Sequence, residues 1–162
     1  MAQADFYLKI EGIDGESKDE KLAKHIEIMS WSWGESNSGS FAHGQGGGVG
    51  KVNMQDLSLS ASISAASLHL FLACANGKHL SKAVLTCRKA GETPQVYLTI
   101  TLNDILISSF QTGGSGGSEL PIESFSLNFA KIEYEYFTQD EKGVVKSAGK
   151  KSWDLKANKA SA

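Results

Sequence analysis

Arginine is nearly absent from this chain of 162 residues, with Arg88 the only one. Acids and lysines are interspersed and the net charge is -2. Nucleic-acid binders usually present a clustered basic face, so that class is disfavoured, and the lysine-rich stretch 142–159 reads as a solvated terminus. Cysteine is also scarce. Cys74 falls in an apolar helical run and Cys87 in an alternating strand. One disulfide is possible by count, but spacing cannot show it, and buried free thiols are the favoured reading. No apolar run approaches the length of a membrane span, so no membrane insertion is expected. The opening M-A-Q-A-D-F-Y-L-K-I enters a strand pattern at once and has neither the basic nor the apolar region of a secretory signal. Synthesis and folding in the cytoplasm are therefore expected, with any export left to a dedicated machine. The four histidines, His25, His43, His69 and His79, have no metal-ligand spacing and none lies in H-E-x-x-H. No metal or cofactor is expected.

What is present is β patterning over the length of one domain, residues 1–162. Phe6, Leu8 and Ile10 alternate with Tyr7, Lys9 and Glu11, the period of a half-buried strand. Ile26 and Ile28 share one parity before Met29, Trp31 and Trp33 take the other. The same switch recurs from Val52 and Met54 to Leu57 and Leu59, and from Phe125, Leu127 and Phe129 to Ile132, Tyr134 and Tyr136. Strands that change face belong where a sheet bends around a barrel. One helix is predicted over 64–75, with Ser64 as N-cap, Asn76-Gly77 as the stop, and Leu68, Phe71, Leu72 and Ala75 as its packing face. Further strands are predicted over 83–89, 96–102, 105–111 and 120–136, with a tight hairpin at Asn103-Asp104 and strand pieces at 143–145 and 152–155. The last seven residues are expected to fray. The fold class is mainly β: a barrel of two packed, antiparallel-rich sheets with one flanking α-helix.

The stretch 26–64 organises the chain. Two strand-like runs flank a loop that holds six glycines from Gly39 to Gly50. A long loop with so little to bury is functional or disordered, and the expectation is that it orders against another protein chain. Nucleotide motifs fail there. A P-loop ending in Gly50-Lys51 would need glycine where Gln45 stands and Ser or Thr where Val52 stands, with a helix after it. A dinucleotide fingerprint from Gly44 meets Val49 in place of its last glycine. Gly113, Ser115 and Gly117 spell G-x-S-x-G, but the nucleophile elbow needs a following helix and a later histidine, and no histidine lies beyond His79. The residues therefore argue against an enzyme. Trp31 and Trp33 have the chemistry to stack a sugar in a small-ligand-binding barrel. Their other reading, as core or subunit-interface residues, is preferred.

W-S-W-G before the serine- and glycine-rich loop, then G-K-V-N-M-Q-D-L-S, T-G-G-S-G-G and S-L-N-F-A-K-I, resemble the Hcp family, as do G-E-S-K-D (15–19), A-C-A-N-G-K-H (73–79) and R-K-A-G (88–91). These haemolysin-coregulated proteins are the tube subunits of the bacterial type VI secretion system. The resemblance covers nearly the whole chain in order. It implies a structural protein and a β-barrel protomer. It implies a homo-hexameric ring with a wide channel, and stacking of rings into a tube inside a contractile sheath under a VgrG-type spike. It further implies carriage of effector proteins and secretion without a cleavable signal. On this reading the loop 38–50 makes contacts between subunits or stacked rings, through Ser38, Phe41, His43, Gln45 and Val49. Ser30 and Ser32 then face the channel and its effectors, while Trp31 and Trp33 turn to packed surface.

Overall fold

The computed structural model describes residues 4–39 and 49–161. It is mainly β: β1 Ala4–Ile10, β2 Ile26–Ile28, β3 Ser30–Ser32, β4 Glu35–Gly39, β5 Val49–Met54, β6 Leu57–Ser62, then α1 Ala66–Asn76, followed by β7 His79–Lys89, β8 Gln95–Gly113, β9 Ile122–Gln139, β10 Val145–Asp154 and β11 Lys159–Ala160. Every ladder is antiparallel. One sheet has nine strands, and a separate β4–β5 hairpin forms the second. The main sheet wraps round its core along the path β2-β1-β7-β8-β9-β6-β3. Its two ends, β2 and β3, are successive pieces of one strand. No ladder joins them, so the seam of this barrel-like wrap is the chain itself at Met29.

The parity switches have a common cause. At Met29 the chain passes from β1, its partner through Ile26–Ile28, to β6, its partner through Ser30–Ser32. Between Met54 and Leu57 it passes from the β4 hairpin to the ladder between β3 and β9. On the far edge of β9, β6 ends opposite Leu127 and β10 begins opposite Lys131. Each switch marks a change of partner, where the pleat is free to reset.

The predicted hairpin at Asn103-Asp104 is corrected. The chain runs straight through as the single strand β8, and there changes parity from Leu98, Ile100 and Leu102 to Ile105 and Ile107, all buried. Asp104 takes φ +54°, a left-handed conformation that bends a strand without reversing it. Its neighbours switch at the same level: β7 between Leu80 and Ala83, β9 between Phe129 and Ile132. The result is a crease across three strands. The local signal was a turn dipeptide, but hydrogen bonding on both sides of β8 holds it extended.

The helix boundary is close to expectation but its packing face is corrected. Ala65, not Ser64, is the N-cap. Ser64 still serves the start: its hydroxyl accepts from Ala66 N at 3.2 Å, and Ser67 Oγ accepts from Ser64 N at 3.0 Å. Gly77 ends the helix with φ 63°, as a left-handed cap requires. Toward the core α1 turns Ala66, Ser67, Leu70 and Ala73. The expected face lies outside, with Leu68, Phe71 and Leu72 exposed to 73%, 57% and 56%. Small residues let the helix approach the sheet closely, and the hydrophobic periodicity fits both stripes, so apolar count pointed to the wrong one. The last seven residues are also corrected in part, since Lys159–Ala160 pair with β10.

Residues 11–25 cover the outer face of β1 and β7, which is why Leu85, Thr86, Cys87 and Arg88 are buried in succession. The sole arginine fixes this cover. Arg88 Nη1 donates to Asp19 Oδ1 at 3.0 Å and Nη2 to Asp19 Oδ2, while Nη2 also donates to the Tyr7 hydroxyl at 3.2 Å. The guanidinium stands 4.8 Å from the centre of the Tyr7 ring. Arg88, with lesser help from the amides of Lys21 and Leu22, holds the Asp19 carboxyl well below the usual carboxylate range. At Gly15 a side chain has no room: a Cβ would lie 2.5 Å from the carbonyl carbon of His25 and 2.6 Å from Ile26 N. Both cysteines are free thiols, Cys74 half-buried and Cys87 buried, and burial pushes the Cys87 thiol up to about 12 against the opposing Trp31 contact.

Two outcomes test this account. Leu70→Ala should cost about 2–4 kcal/mol in urea unfolding, and Leu72→Ala less than about 0.5 kcal/mol in the dissociated chain; equal costs would restore the packing face read from the sequence. Asp19→Asn should lower the unfolding midpoint at pH 7. Because the folded carboxyl titrates below its ordinary pKa of 3.8, its contribution is present above about pH 4 and is lost as pH falls further. The gap between wild type and Asp19→Asn should therefore close in acid. No gap at pH 7 would show that Arg88 does not anchor the cover.

Candidate functional site

Alternation on β3 sets its two faces. Ser30 and Ser32 are exposed. Trp31 between them is half-buried against the core, edge-on to Phe6 with ring centres 6.2 Å apart. Trp33 also packs on the core. The hydroxyl face does not stop at β3. Ser30 pairs with Ser60, Ser60 with Ser124, and Ser124 with Gln111. The next row runs Ser32, Ser58, Ser126, Ser109. The rows cross four strands, β3-β6-β9-β8, and among the described residues the groove they line carries no charged side chain.

The hydroxyls bond to one another along the rows. Ser30 Oγ lies 2.6 Å from Ser60 Oγ, and Ser126 Oγ 2.5 Å from Ser109 Oγ and 2.7 Å from Ser108 Oγ. At the edge of the face Asp56 accepts from Ser108 Oγ at 2.6 Å and from Asn128 Nδ2 at 2.9 Å. A hydroxyl both donates and accepts, so such a face meets many polar groups without selecting by charge. The sequence reading named Ser30 and Ser32 but missed their partners. The signal was there, in L-S-L-S-A-S over 57–62 and S-F-S over 124–126, where serine takes every second place.

A second surface is an aromatic cleft of about 1160 Å³ between the root of the β4–β5 hairpin and β9–β10, floored by Trp31, Trp33, Met54, Ile132 and Trp153. The indole nitrogens of Trp33 and Trp153 are buried and lack a hydrogen-bond partner among the described residues. The third surface is the exposed apolar stripe of α1.

Of the loop residues predicted to touch a neighbour, Ser38 is exposed on β4, and Val49 begins β5 opposite Gly39. Phe41, His43 and Gln45 lie outside the described residues. The hairpin therefore carries the two ends of the loop 38–50 side by side, in a two-stranded sheet of its own. The elbow-like motif has the wrong context, since Gly113 ends β8, Ser115 is exposed, and β9 follows where a helix is needed. Lys51 lies inside β5, ahead of strand and not helix.

Comparison with known proteins gives one answer. Residues 7–136 match the family model described as type VI secretion system effector, Hcp. The chain is 46% identical over 157 residues to protein hcp1 of Pseudomonas aeruginosa, covering 95% of this chain and 96% of that protein. Among solved structures, Hcp1 from Salmonella typhimurium matches 99% of this chain and 100% of its own at 34% identity and a TM-score of 0.78. A structure described as that of a type six secretion system protein reaches a TM-score of 0.92 at 28% identity, over 98% of this chain and 100% of its own. With a family model spanning most of the chain and a relative of this identity over nearly all of it, the chain belongs to the Hcp family of the type VI secretion system.

Proposed function

We propose that this chain is a structural subunit of the type VI inner tube and not an enzyme. Six copies form a ring, rings stack, and the tube runs inside the contractile sheath below a VgrG-type spike. It leaves the cell through that apparatus, carrying effector proteins. The observation that supports this reading is the uncharged serine face across β3, β6, β9 and β8. A channel that must pass varied cargo needs small, polar, neutral side chains, and Ser30 and Ser32 stand on that face with the tryptophans turned away. The paired ends of the loop 38–50 suit contacts between stacked rings, where Phe41 and Val49 supply apolar anchors and His43 and Gln45 hydrogen bonds. The exposed stripe of Leu68, Phe71 and Leu72 is apolar surface of the kind subunits cover on association. Head-to-tail contacts between unlike surfaces generate rings and stacks.

A second reading, a sugar-binding barrel, is favoured by the tryptophan cleft alone. The two readings separate in solution. Electron microscopy of the purified protein should show six-fold rings, and light scattering a species of about six chains. A stable monomer at micromolar concentration with saturable sugar binding in calorimetry would replace the tube by the barrel binder.

Removal of residues 42–48 should leave thermal melting nearly unchanged, because closure entropy varies slowly with loop length, while tubes shorten or vanish. Long tubes from the shortened protein would refute the stacking role. Ser32→Gln should preserve rings and reduce the effector recovered with them; unchanged recovery would remove Ser32 from the cargo surface.

A further inference from the structure

Glu123 is the least expected residue of the core. It lies on the inward face of β9, two positions before Phe125 and four before Leu127, and is only 1% exposed. Neither carboxylate oxygen has a hydrogen bond of normal geometry among the described residues. Its ladder partners are Ala61 of β6 and Thr112 of β8. From α1, the first-turn residue Ser67 reaches it with a hydroxyl. None of these neighbours is charged, and the one histidine of α1, His69, is exposed on the helix. A carboxylate in such a place has no counter-ion and little hydration, so its ionised form is disfavoured.

The helix above it meets the core mainly through small side chains. Its inward residues are two alanines, a serine and one leucine, and its larger apolar side chains point outward. An ionised carboxyl beneath the first turn therefore competes with the burial of few apolar atoms. We propose that Glu123 is a proton-operated latch on α1: neutral, it lets the helix seat on the barrel, and ionised, it loosens that seat. The outer stripe of Leu68, Phe71 and Leu72 rides on the same helix, so the state of Glu123 also sets how firmly that apolar surface is presented to whatever covers it.

The sign follows from where the carboxyl titrates. Burial raises its pKa above the ordinary 4.5, opposed by the Ser67 hydroxyl. With the helix loosened, the carboxyl returns toward the ordinary value. Seating is therefore strongest below about pH 4.5, weakens as pH rises, and levels off above the seated pKa. One proton is linked, so the slope between the two values is at most about tenfold per pH unit.

The test is amide hydrogen exchange of α1 between pH 4 and pH 8, on the intact protein and on Glu123→Gln. Comparing the two at each pH cancels the intrinsic pH dependence of exchange. The ratio of wild-type to variant opening should be near one at pH 4, rise through the window and then plateau, with exchange in β8 unaffected. A flat ratio across the whole range would overturn the latch. Direct titration of the Glu123 carboxyl carbon by NMR in the wild-type protein decides the matter even where Glu123→Gln does not fold. A midpoint clearly above 4.5 accompanied by α1 shift changes supports the latch, and a midpoint at or below 4.5, or a titration that leaves α1 resonances in place, refutes it. Because the outer stripe of α1 is a surface that association would cover, wild type and Glu123→Gln are compared in the same assembly state, checked by light scattering. Six-fold rings with a flat ratio overturn the latch alone, and a monomer with a rising ratio overturns the tube reading alone.

Discussion

A regular pleat keeps one face inward, and a sheet that curls round its own core has to break that pleat, either where a strand exchanges a neighbour or at a crease it shares with its neighbours. That constraint shapes this fold. β9 has β8 along one edge for most of its length, but its other edge is shared by β6 and then β10. The strand that begins as β2 leaves β1 and continues as β3 beside β6. Wherever an edge changes hands the pleat resets, and the crease through Leu80–Ala83, Asp104 and Ala130 carries the same reset across three strands. The core stays continuous through the crease because Leu102 and Ile105, on opposite parities, are both fully buried.

This explains what was legible in the sequence. The three parity switches are physical facts of the chain, and each one marks a partner change in the structure. Patterning cannot distinguish a bend from a reversal, because Asn-Asp has the same turn chemistry in both. The hairpin at Asn103-Asp104 was misread for that reason: the decision rests with hydrogen bonds to β7 and β9, far away in sequence. The helix was misread for a different reason. Its apolar residues form two stripes, and the choice between them depends on how close the helix must come to the sheet. Ala66 and Ala73 permit close approach, and burying Phe71 instead would hold the helix away.

The anchor at Arg88 shows the same dependence on distance. R-K-A-G (88–91) marks Arg88 in the sequence but nothing there marks its partners, and Asp19, Asp5 and Tyr7 converge on it from other segments. A buried guanidinium needs such company, since breaking one partner leaves a charge without water or counter-ion. Arg88 thus ties residues 11–25 over the outside of β1 and β7, and Gly15 allows that cover to pass close against His25. Glu123 is the opposite case, a buried charge-bearing group with no such company. Arg88 is built to remain ionised, whereas burial disfavours the charged form of Glu123.

The serine face follows from the switch at Met29. In β2 the even-numbered residues Ile26 and Ile28 are the buried ones. Had that parity continued, Ser30 and Ser32 would enter the core and Trp31 would stand outside. The reset at Met29 exchanges the two sets, so hydroxyls point out and indoles pack in. β6 resets before Leu57 and β9 holds its phase through Phe129, which brings Ser58, Ser60, Ser124 and Ser126 to the same surface. A one-residue slip in any of these strands would put leucine or phenylalanine on the outer face and serine in the core. Neutrality of the face and solidity of the core are thus one property, fixed by register. A substitution such as Ser32→Gln changes the face alone, whereas an insertion at Met29 would change both.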